Sequence, residues 1–397
     1  MGVGRNKSSE KGRWTGLLVL LFGAALGVAC GAIAIKYLEH AAENVGFGGY
    51  LLRLAAVLVE LYLSLFIQIV IHEAGHLIFG LLTGYKYSSF RVGSLMWIKE
   101  TDGIKLRRFS LAGTGGQCLM APPELKDGKI PYVLYNLGGS LMNIAAAAVC
   151  IVIALLAKGE SVFAVFPRVM ALMGLAFALF NGVPMRTGSI DNDGWNALSL
   201  GRDPAALGAF WVQMQANALA ARGVRLKDMP EEWFAVPEEE SMRNSMVAAL
   251  GVLACNRLFD ERRFEEADAL MKRMLESDSA ITGVHRGLLV CDRAFCLLTA
   301  ADRSDGAAEA KELLDAKQRK FMRSMGRFPS VMRTEYAYAL IAEHDDAAAE
   351  KTRGQFEKIV SAYPYRSEAD AERELMELAR SRAAAEKDGK EKHYAEE

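Results

Sequence analysis

Two histidines and a glutamate near residue 70 have the types and the spacing that a catalytic metal requires. His72 and His76 are four residues apart, so on a helix their side chains project from one face, one turn apart. Both imidazoles can then reach one ion at about 2.0–2.1 Å, the usual zinc–nitrogen distance. Glu73 lies beside the first histidine, where its carboxylate can contact a water on the metal. The three residues form an HExxH pattern, which predicts a zinc site with the glutamate as general base.

This HExxH pattern lies inside an apolar stretch that runs from about residue 54 to residue 82. Ionisable residues within a membrane segment are costly and mark a functional site by default. The alternative is that the histidines only satisfy polar groups of neighbouring helices. Glu60 precedes His72 by more than three helical turns, and we interpret it as a structural partner or as a residue that faces a water-filled cavity.

Three further stretches are long enough to cross a membrane. They cover residues 15–35, 134–157 and 161–183, and the first has no charged side chain in 21 positions. About 20 apolar residues span a hydrocarbon core. A cleaved signal peptide also begins with basic residues, but its apolar part is usually shorter, so we favour an uncleaved anchor. The sequence therefore predicts about four transmembrane helices.

The basic residues between these stretches predict the orientation of the chain. The N-terminal tail at 1–13 and the loop at 84–133 together hold twelve Lys and Arg, whereas the loops at 36–53 and 158–168 hold four. Lys and Arg collect in cytoplasmic loops. We therefore expect a multi-pass protein of a bacterial plasma membrane with both termini in the cytoplasm.

The long loop between the second and third stretches contains a hairpin signal. Residues 89–100 and 104–111 are rich in alternating β-formers and are separated by Thr101-Asp102-Gly103, an Asp-Gly turn signal. The pattern predicts a small β-hairpin over residues 89–111, with Gly113–Gly116 as a flexible continuation. A plain cytoplasmic loop without a function is the alternative.

The charge changes sign along the chain, although the net charge is −1. Residues 1–190 carry 17 Lys and Arg against 10 Asp and Glu, and residues 191–397 carry 30 against 38. Such a change indicates separate domains. The acidic part interleaves its Lys and Arg with Asp and Glu, so nothing in it indicates nucleic-acid binding.

Amphipathic helical patterns dominate the chain beyond Trp195. The clearest pair covers residues 245–258 and 264–275, and related pairs cover 284–318 and 333–362. This recurrence resembles tetratricopeptide-type repeats and predicts a solenoid-like helical domain. An irregular helical bundle is the alternative.

The predicted fold is thus mainly α, with two domains and two tails. A membrane-embedded domain covers residues 14–200 and follows the tail at 1–13. The cytoplasmic helical repeat domain covers 203–380, and an Ala/Glu/Lys-rich flexible tail covers 381–397.

Three segments within residues 50–200 carry a family resemblance. The first is IHEAGH at Ile71–His76. The second, NLGGSLMN at Asn136–Asn143, is similar to a G-P-x-x-N element, with Ser140 in place of the proline. The third, NGVPMRTGSIDNDGWN at Asn181–Asn196, is similar to an N-x-x-P element followed by D-G, with Trp195 where many members have a second glycine. In order and spacing the three resemble the site-2 protease family of intramembrane zinc metallopeptidases.

The resemblance implies that His72, His76 and Asp193 hold Zn²⁺. A catalytic zinc with three protein ligands keeps a fourth position open for water. Asp191 is the rival third ligand, but no glycine follows it.

Two asparagines in the same motifs have two possible roles. Asn143 and Asn181 could hydrogen-bond the substrate carbonyl or its oxyanion. They could equally satisfy backbone groups of the helices.

The implied activity is hydrolysis of peptide bonds in or near transmembrane segments of membrane proteins. Glu73 would act as general base and then as general acid. The hairpin could offer a strand edge to the substrate, and the helical domain could dock a substrate or a regulatory protein at the lipid bilayer. The alternatives are a catalytically inactive membrane scaffold and a transporter, but four spans without an inverted repeat disfavour the latter.

Overall fold

The computed structural model describes residues 4–42, 46–110, 114–157, 162–187, 190–300 and 305–396. Its contacts divide the chain into two units. The first unit comprises the described residues within 1–93 and 111–204, and the second comprises those within 94–110 and 205–397. Residues 94–110 therefore group with the second unit and not with the membrane domain, where the sequence placed them.

Among the described residues, four helices are long and apolar enough to cross a membrane. Their order along the chain is α1 (Gly4–Ala42), α2 (Phe47–Leu82), α3 (Tyr132–Leu156) and α4 (Val162–Gly182). The described residues thus contain four helices of membrane-spanning length, in the predicted order.

Two of these helices begin earlier than the sequence patterns suggested. Helix α1 already begins at Gly4, within the predicted tail. Helix α2 begins before Arg53, which the sequence placed at the edge of a loop. The Arg53 guanidinium lies 5.7 Å from the Tyr37 ring centre, and Val57 packs in a cluster with Tyr37. Arg53 and Val57 of α2 thus contact α1, and α2 begins about two turns before the predicted start.

The buried face of α2 is polar and its exposed face is apolar. Its buried polar residues are Glu60, Ser64, Gln68, His72, Glu73 and His76. Large apolar side chains such as Leu58, Tyr62 and Phe66 are exposed instead. Lipid cannot satisfy polar groups, so this distribution places the polar side chains against the neighbouring helices. We call the residues at four-residue spacing from Glu60 to His76 the polar stripe.

Glycines allow α2 and α3 to touch backbone to backbone beside the polar stripe. A Cβ atom on Gly75 would overlap the Gly138 carbonyl, and one on Gly138 would lie 2.6 Å from the Gly75 oxygen. A Cβ atom on Gly139 would lie 2.5 Å from the His72 ring. Small residues of this kind let membrane helices approach closely.

One antiparallel pair of strands lies in the first unit. Strand β1 (Lys86–Val92) pairs with β4 (Gly116–Ala121), with Phe90 opposite Cys118 and a bulge between Tyr87 and Ser89. The sequence predicted a flexible continuation where β4 begins. Gly113, the start of that predicted segment, lies outside the described residues.

The other antiparallel pair, in the second unit, is the hairpin of β2 (Leu95–Glu100) and β3 (Gly103–Arg108). Glu100 pairs with Gly103 across the predicted turn, and Gly103 has a φ of +127°. The prediction of one strand over 89–100 was wrong, because the chain turns at Gly93, where φ is +58°.

The second unit is built from helices. After α5 (Asp193–Ser199) in the first unit come α6 (Pro204–Ala221), α7 (Ser245–Asp260), α8 (Phe264–Glu276), α9 (Gly283–Thr299), α10 (Gly306–Leu313), α11 (Ala316–Ser324), α12 (Pro329–Ala337), α13 (Asp346–Val360) and α14 (Arg366–Glu396). Helices α7 and α8 match the clearest predicted pair, whereas the repeat solenoid itself stays a prediction. Helix α14 runs to Glu396, through the segment predicted as a flexible tail.

Replacing Gly75 with alanine should force α2 and α3 apart. Its methyl group would meet the Gly138 backbone, which cannot rotate away as a side chain can, and overpacking of this kind costs about 1–3 kcal/mol. Thermal unfolding in detergent should therefore occur at a lower temperature for Gly75→Ala than for the parent. Gly27→Ala is the matched control, because nothing lies within 4 Å of its added Cβ; equal midpoints for the two variants would contradict the close approach.

Candidate metal centre

Three side chains of the first unit bring their donor atoms to one point. His72 Nε2 lies 3.1 Å from Asp193 Oδ2 and 3.2 Å from His76 Nε2. His76 Nε2 lies 3.4 Å from the same Asp193 oxygen. Among the described residues, this is the only group of three or more His, Cys, Asp or Glu side chains whose donor atoms could share a metal ion.

The spacing of these donors fits a tetrahedral zinc ion. With zinc–ligand bonds of about 2.0–2.1 Å, tetrahedral ligands lie about 3.3 Å from one another. The three observed separations, from 3.1 to 3.4 Å, agree with this value. Two imidazole nitrogens and one carboxylate oxygen also form a usual donor set for catalytic zinc. The residues present therefore fit the metal.

The other ring nitrogen of each histidine has a hydrogen-bond acceptor. His72 Nδ1 lies 2.8 Å from Asn143 Oδ1, and His76 Nδ1 lies 2.8 Å from the Tyr135 carbonyl oxygen. Protonation at Nδ1 leaves the Nε2 lone pair free for a metal, so these acceptors fix the tautomer that can bind the ion. Both acceptors belong to α3.

A chain of amide hydrogen bonds holds Asn143 in place. Its Nδ2 donates to the Gln68 backbone oxygen at 3.1 Å and to Gln68 Oε1 at 2.7 Å. Gln68 Nε2 in turn donates to the Met170 carbonyl of α4 at 2.9 Å. Asn143 is fully buried and both of its amide hydrogens are used, so in this arrangement it orients His72. Gln68 was not singled out from the sequence, although it lies four residues before His72.

Glu73 lies against the start of β4. It is 8% exposed, and a Cβ on Gly116 would lie 2.5 Å from Glu73 Oε1. Arg91 of β1 donates to the Gly116 carbonyl at 3.1 Å and to Thr114 Oγ1 at 2.5 Å. The β1–β4 pair therefore closes one side of the site, and only glycine leaves room for the carboxylate. In the sequence, Arg91 is one of the basic residues of the loop at 84–133, and nothing in its neighbours indicates this contact.

Asn192 positions Asp193 at the start of α5. Its Nδ2 donates to the carbonyls of Phe180 at 2.8 Å and Val183 at 2.7 Å, while its Oδ1 accepts from Trp195 N at 2.9 Å as an N-cap. These bonds tie α5 to the end of α4. Burial raises the pKa of the Asp193 carboxyl, but the two histidines outweigh it and bring the pKa well below its usual range.

The remaining candidate residues lie elsewhere. Asp191 pairs with Arg186 Nε at 2.6 Å and is not in the donor group. Asn181 donates to the Phe177 carbonyl of its own helix at 3.0 Å, which corresponds to the backbone-satisfying alternative. Glu60 is 6% exposed, and neither of its carboxylate oxygens has a hydrogen-bond partner among the described residues.

Two buried histidines and a glutamate on a helix of membrane length, with a half-buried aspartate from α5, define a candidate membrane-embedded metallohydrolase. The family model for peptidase family M50 matches residues 60–363. This match covers more than half of the chain, so the chain belongs to that family, the site-2 proteases. Its members are membrane proteins and zinc metallopeptidases. No curated protein and no solved structure matches the chain.

Replacing Asp193 with asparagine should weaken metal binding far more than the same change at Asp191. Loss of an outer hydrogen-bond partner typically costs about 10–100-fold in metal affinity, and loss of a ligand should cost more. Zinc affinity of the purified variants, measured by competition with a chelator, checks this. The Asp191→Asn variant should bind zinc like the parent; weaker binding there than in Asp193→Asn would reverse the assignment of the third ligand.

Proposed function

We propose that this chain is an intramembrane zinc endopeptidase that hydrolyses peptide bonds in or near transmembrane segments of membrane proteins. The observation that carries the proposal is the convergence of His72 Nε2, His76 Nε2 and Asp193 Oδ2 beside Glu73. These four residues lie on the polar face of a membrane-length helix and at the start of α5. The match of this chain to a family of zinc metallopeptidases supports the same chemistry independently.

His72, His76 and Asp193 would hold the zinc ion. When bound, zinc polarises the scissile carbonyl and makes water acidic enough to lose a proton near neutral pH. Glu73 accepts that proton as general base and then donates it to the leaving amine as general acid. Asn143 and the Tyr135 carbonyl keep the imidazoles in the orientation that the ion requires. Asn181 stays a candidate for the substrate carbonyl only if its bond to Phe177 opens.

The depth of the site along α2 suits access from the cytoplasmic side. His76 lies six residues before the last residue of α2, about 9 Å at about 1.5 Å per residue. The excess of basic residues in the tail and in the loop that follows α2 supports a cytoplasmic position for that end of the helix. Under this proposal the chain lies in a bacterial plasma membrane with both termini in the cytoplasm. Water then reaches the metal from the cytoplasmic side.

Changing Glu73 to glutamine should abolish hydrolysis while leaving zinc in place. The amide cannot accept the proton, and general acid–base catalysis contributes about 10²–10⁴-fold to a rate. The parent and Glu73→Gln are reconstituted in lipid vesicles with a panel of tagged single-span membrane proteins, and zinc content and cleavage products are measured together. Cleavage by the variant at the parent's rate would refute the role of Glu73.

The same experiment separates the enzyme from the alternative of an inactive scaffold. A scaffold with a relict metal site would bind zinc in both forms and cleave no member of the panel. Phosphatidylglycerol-containing vesicles and detergent micelles should both be used, so that lipid composition is not mistaken for inactivity.

The β2–β3 hairpin is proposed as a strand edge for an unwound substrate segment. A helical substrate hides its peptide bonds in its own hydrogen bonds, so it must unwind before cleavage. An added strand supplies backbone partners for the unwound segment. Strand β3 alternates exposed and half-buried residues. Phe109, next to β3, packs against Phe328, Tyr363 and Tyr365 with ring centres 5.9–6.2 Å apart.

Proline at Leu106 should reduce cleavage without removing zinc. Glu100 and Gly103 flank the two-residue turn and form a hydrogen-bonded pair. Hydrogen-bonded and non-hydrogen-bonded pairs alternate along an antiparallel ladder. The Leu106 amide therefore points away from β2. Proline removes that amide from the edge. Leu106→Val keeps the amide and is the matched control. Cleavage and zinc content are measured in vesicles; equal cleavage by the two variants would argue against the strand edge.

The second unit is proposed as a docking surface for a substrate tail or a regulatory protein. Helices α7 and α8 are joined by a tight turn in which Arg262 has a φ of +60°. Paired helices of this kind in tetratricopeptide-type repeats stack into concave binding surfaces. The family match extends to residue 363, so this unit is part of the proposed enzyme rather than an appendage to it.

A further inference from the structure

A cavity of about 370 Å³ lies among the helices of the second unit. Residues of α6, α7, α9, α12 and α14 line it, together with the segments that follow α6 and precede α12 and α14. Pockets for small ligands have volumes of about 300–1,000 Å³, so the cavity is large enough for one. All of its lining residues fall between Gln213 and Leu375, and none belongs to the metal centre.

The ionisable side chains that line this cavity carry an excess of negative charge. They are Arg225, Asp260, His285, Asp292, Arg333, Glu368 and Glu372. Burial lowers the pKa of His285, so its imidazole adds no positive charge at neutral pH. The two arginines therefore face four carboxyl groups.

Neighbouring carboxylates already occupy both arginines. Arg333, which is fully buried, pairs with Asp292 and with Glu372 Oε2 at 3.2 Å. Its guanidinium also lies 4.6 Å from the centre of the Phe295 ring. Arg225 pairs with Asp260 and, at 2.8 Å, with Glu374 outside the cavity. These ion pairs balance the charge of both arginines, although Arg333 Nε, Arg333 Nη1 and Glu372 Oε2 make no hydrogen bond among the described residues.

Glu368 is the carboxylate without a basic partner. The described residues place no Lys, Arg or His within ion-pair distance of it, and its hydrogen bond from the Tyr363 hydroxyl is long, at 3.4 Å. Beside it, Ser367 lines the cavity with 9% of its surface exposed, and its Oγ has no hydrogen-bond partner among the described residues. Glu368 itself is exposed, so a ligand in the cavity can reach its unpaired carboxylate. A buried hydroxyl without a partner is costly, so a hydrogen bond from Ser367 to that ligand would be favourable.

The spread of these carboxyl groups excludes a metal ion as that ligand. A metal needs three donors around one point, and the described cavity residues offer no such group. Phe259, Leu289 and Leu375 supply apolar walls, and the Phe328 and Tyr363 rings, which Phe109 packs against, stand at the same cavity. Carboxylates, aromatic faces and apolar walls together suit an organic cation on an aliphatic stem.

We propose that this cavity binds an alkylamine or alkylguanidinium group, with Glu368 as its counter-ion and Ser367 as a hydrogen-bond partner. The cation can belong to a free polyamine or to a Lys or Arg side chain of a peptide, because both present the same chemistry. The proposal concerns binding in the second unit and does not depend on peptide-bond hydrolysis.

The pH dependence of binding should follow the carboxyl groups. Burial and the nearby Asp292 raise the pKa of Glu372, which lines the cavity with Glu368, to about 7, against the opposing effect of Arg333. The groups that face them are Asp260, Asp292, Arg225, Arg333, Tyr363 and His285. Since a cation binds the ionised carboxylates, its affinity should rise as the pH increases from 6 to 8.

Isothermal titration of the full-length protein in a non-ionic detergent tests the proposal. The probes are spermidine, the blocked tripeptide Ac-Ala-Arg-Ala-NH2 and its neutral counterpart Ac-Ala-Gln-Ala-NH2. We expect a cationic probe to bind with 1:1 stoichiometry and the neutral peptide not to bind. Preference for spermidine would identify a free amine as the ligand, and preference for the arginine peptide would identify a segment of a partner protein.

Variants at the cavity provide the control. Glu368→Gln should weaken binding about ten-fold, because it removes a charge-assisted hydrogen bond. Glu265→Gln, an exposed acid on α8 outside the cavity, should bind like the parent. Glu368→Lys supplies an ammonium group within the chain, so it should fold and bind no cation. Equal affinity of the parent and Glu368→Gln, or no cationic probe binding better than the neutral peptide, would overturn the proposal.

Discussion

The structure of the first unit depends on one constraint, which is that polar side chains on α2 must find partners inside the protein because lipid offers none. The part of the polar stripe from Gln68 to His76 meets this constraint through α3 and α4, whereas Glu60 and the Ser64 hydroxyl have no hydrogen-bond partner among the described residues. Gln68 bonds Asn143 and the Met170 carbonyl, and Asn143 bonds His72. The hydrogen bonds that satisfy these polar groups within the membrane are therefore the same bonds that hold the His72 imidazole in the orientation suited to a metal ion. The stability of the helix packing and the geometry of the candidate metal centre thus depend on the same contacts.

The same constraint explains where the small residues lie. Asn143 and the Tyr135 carbonyl can reach the two histidines only if α3 lies directly against α2, and Gly75 and Gly138 permit this approach. Gly116 serves the same purpose at β4, where a side chain would displace the Glu73 carboxylate. In a membrane, such close packing replaces the hydrophobic effect as the force between helices.

Features that depend on residues close in sequence were predictable, and those that depend on distant partners were not. Helical spacing placed His72 and His76 on one face, and apolar length gave four spans in the right order. The hairpin turn followed from Asp102 and Gly103. Strand β4 was missed because a glycine-led segment has little intrinsic strand preference, and it forms by pairing with β1. Gln68 was missed because its partners lie 75 and 102 residues away.

Buried charge in the second unit follows a different rule from that in the first. On α2 the polar groups near the metal centre satisfy one another, and the ligand set is complete in three residues. Around Arg333 the carboxylates outnumber the arginines, and Glu368 and Ser367 are left with poor or absent partners. Arg333 and Asp292 are buried, and a core that only had to be stable would gain from apolar residues in place of such a pair. The retention of an incomplete charge network around an open cavity is therefore better explained by a cationic ligand than by the stability of the fold.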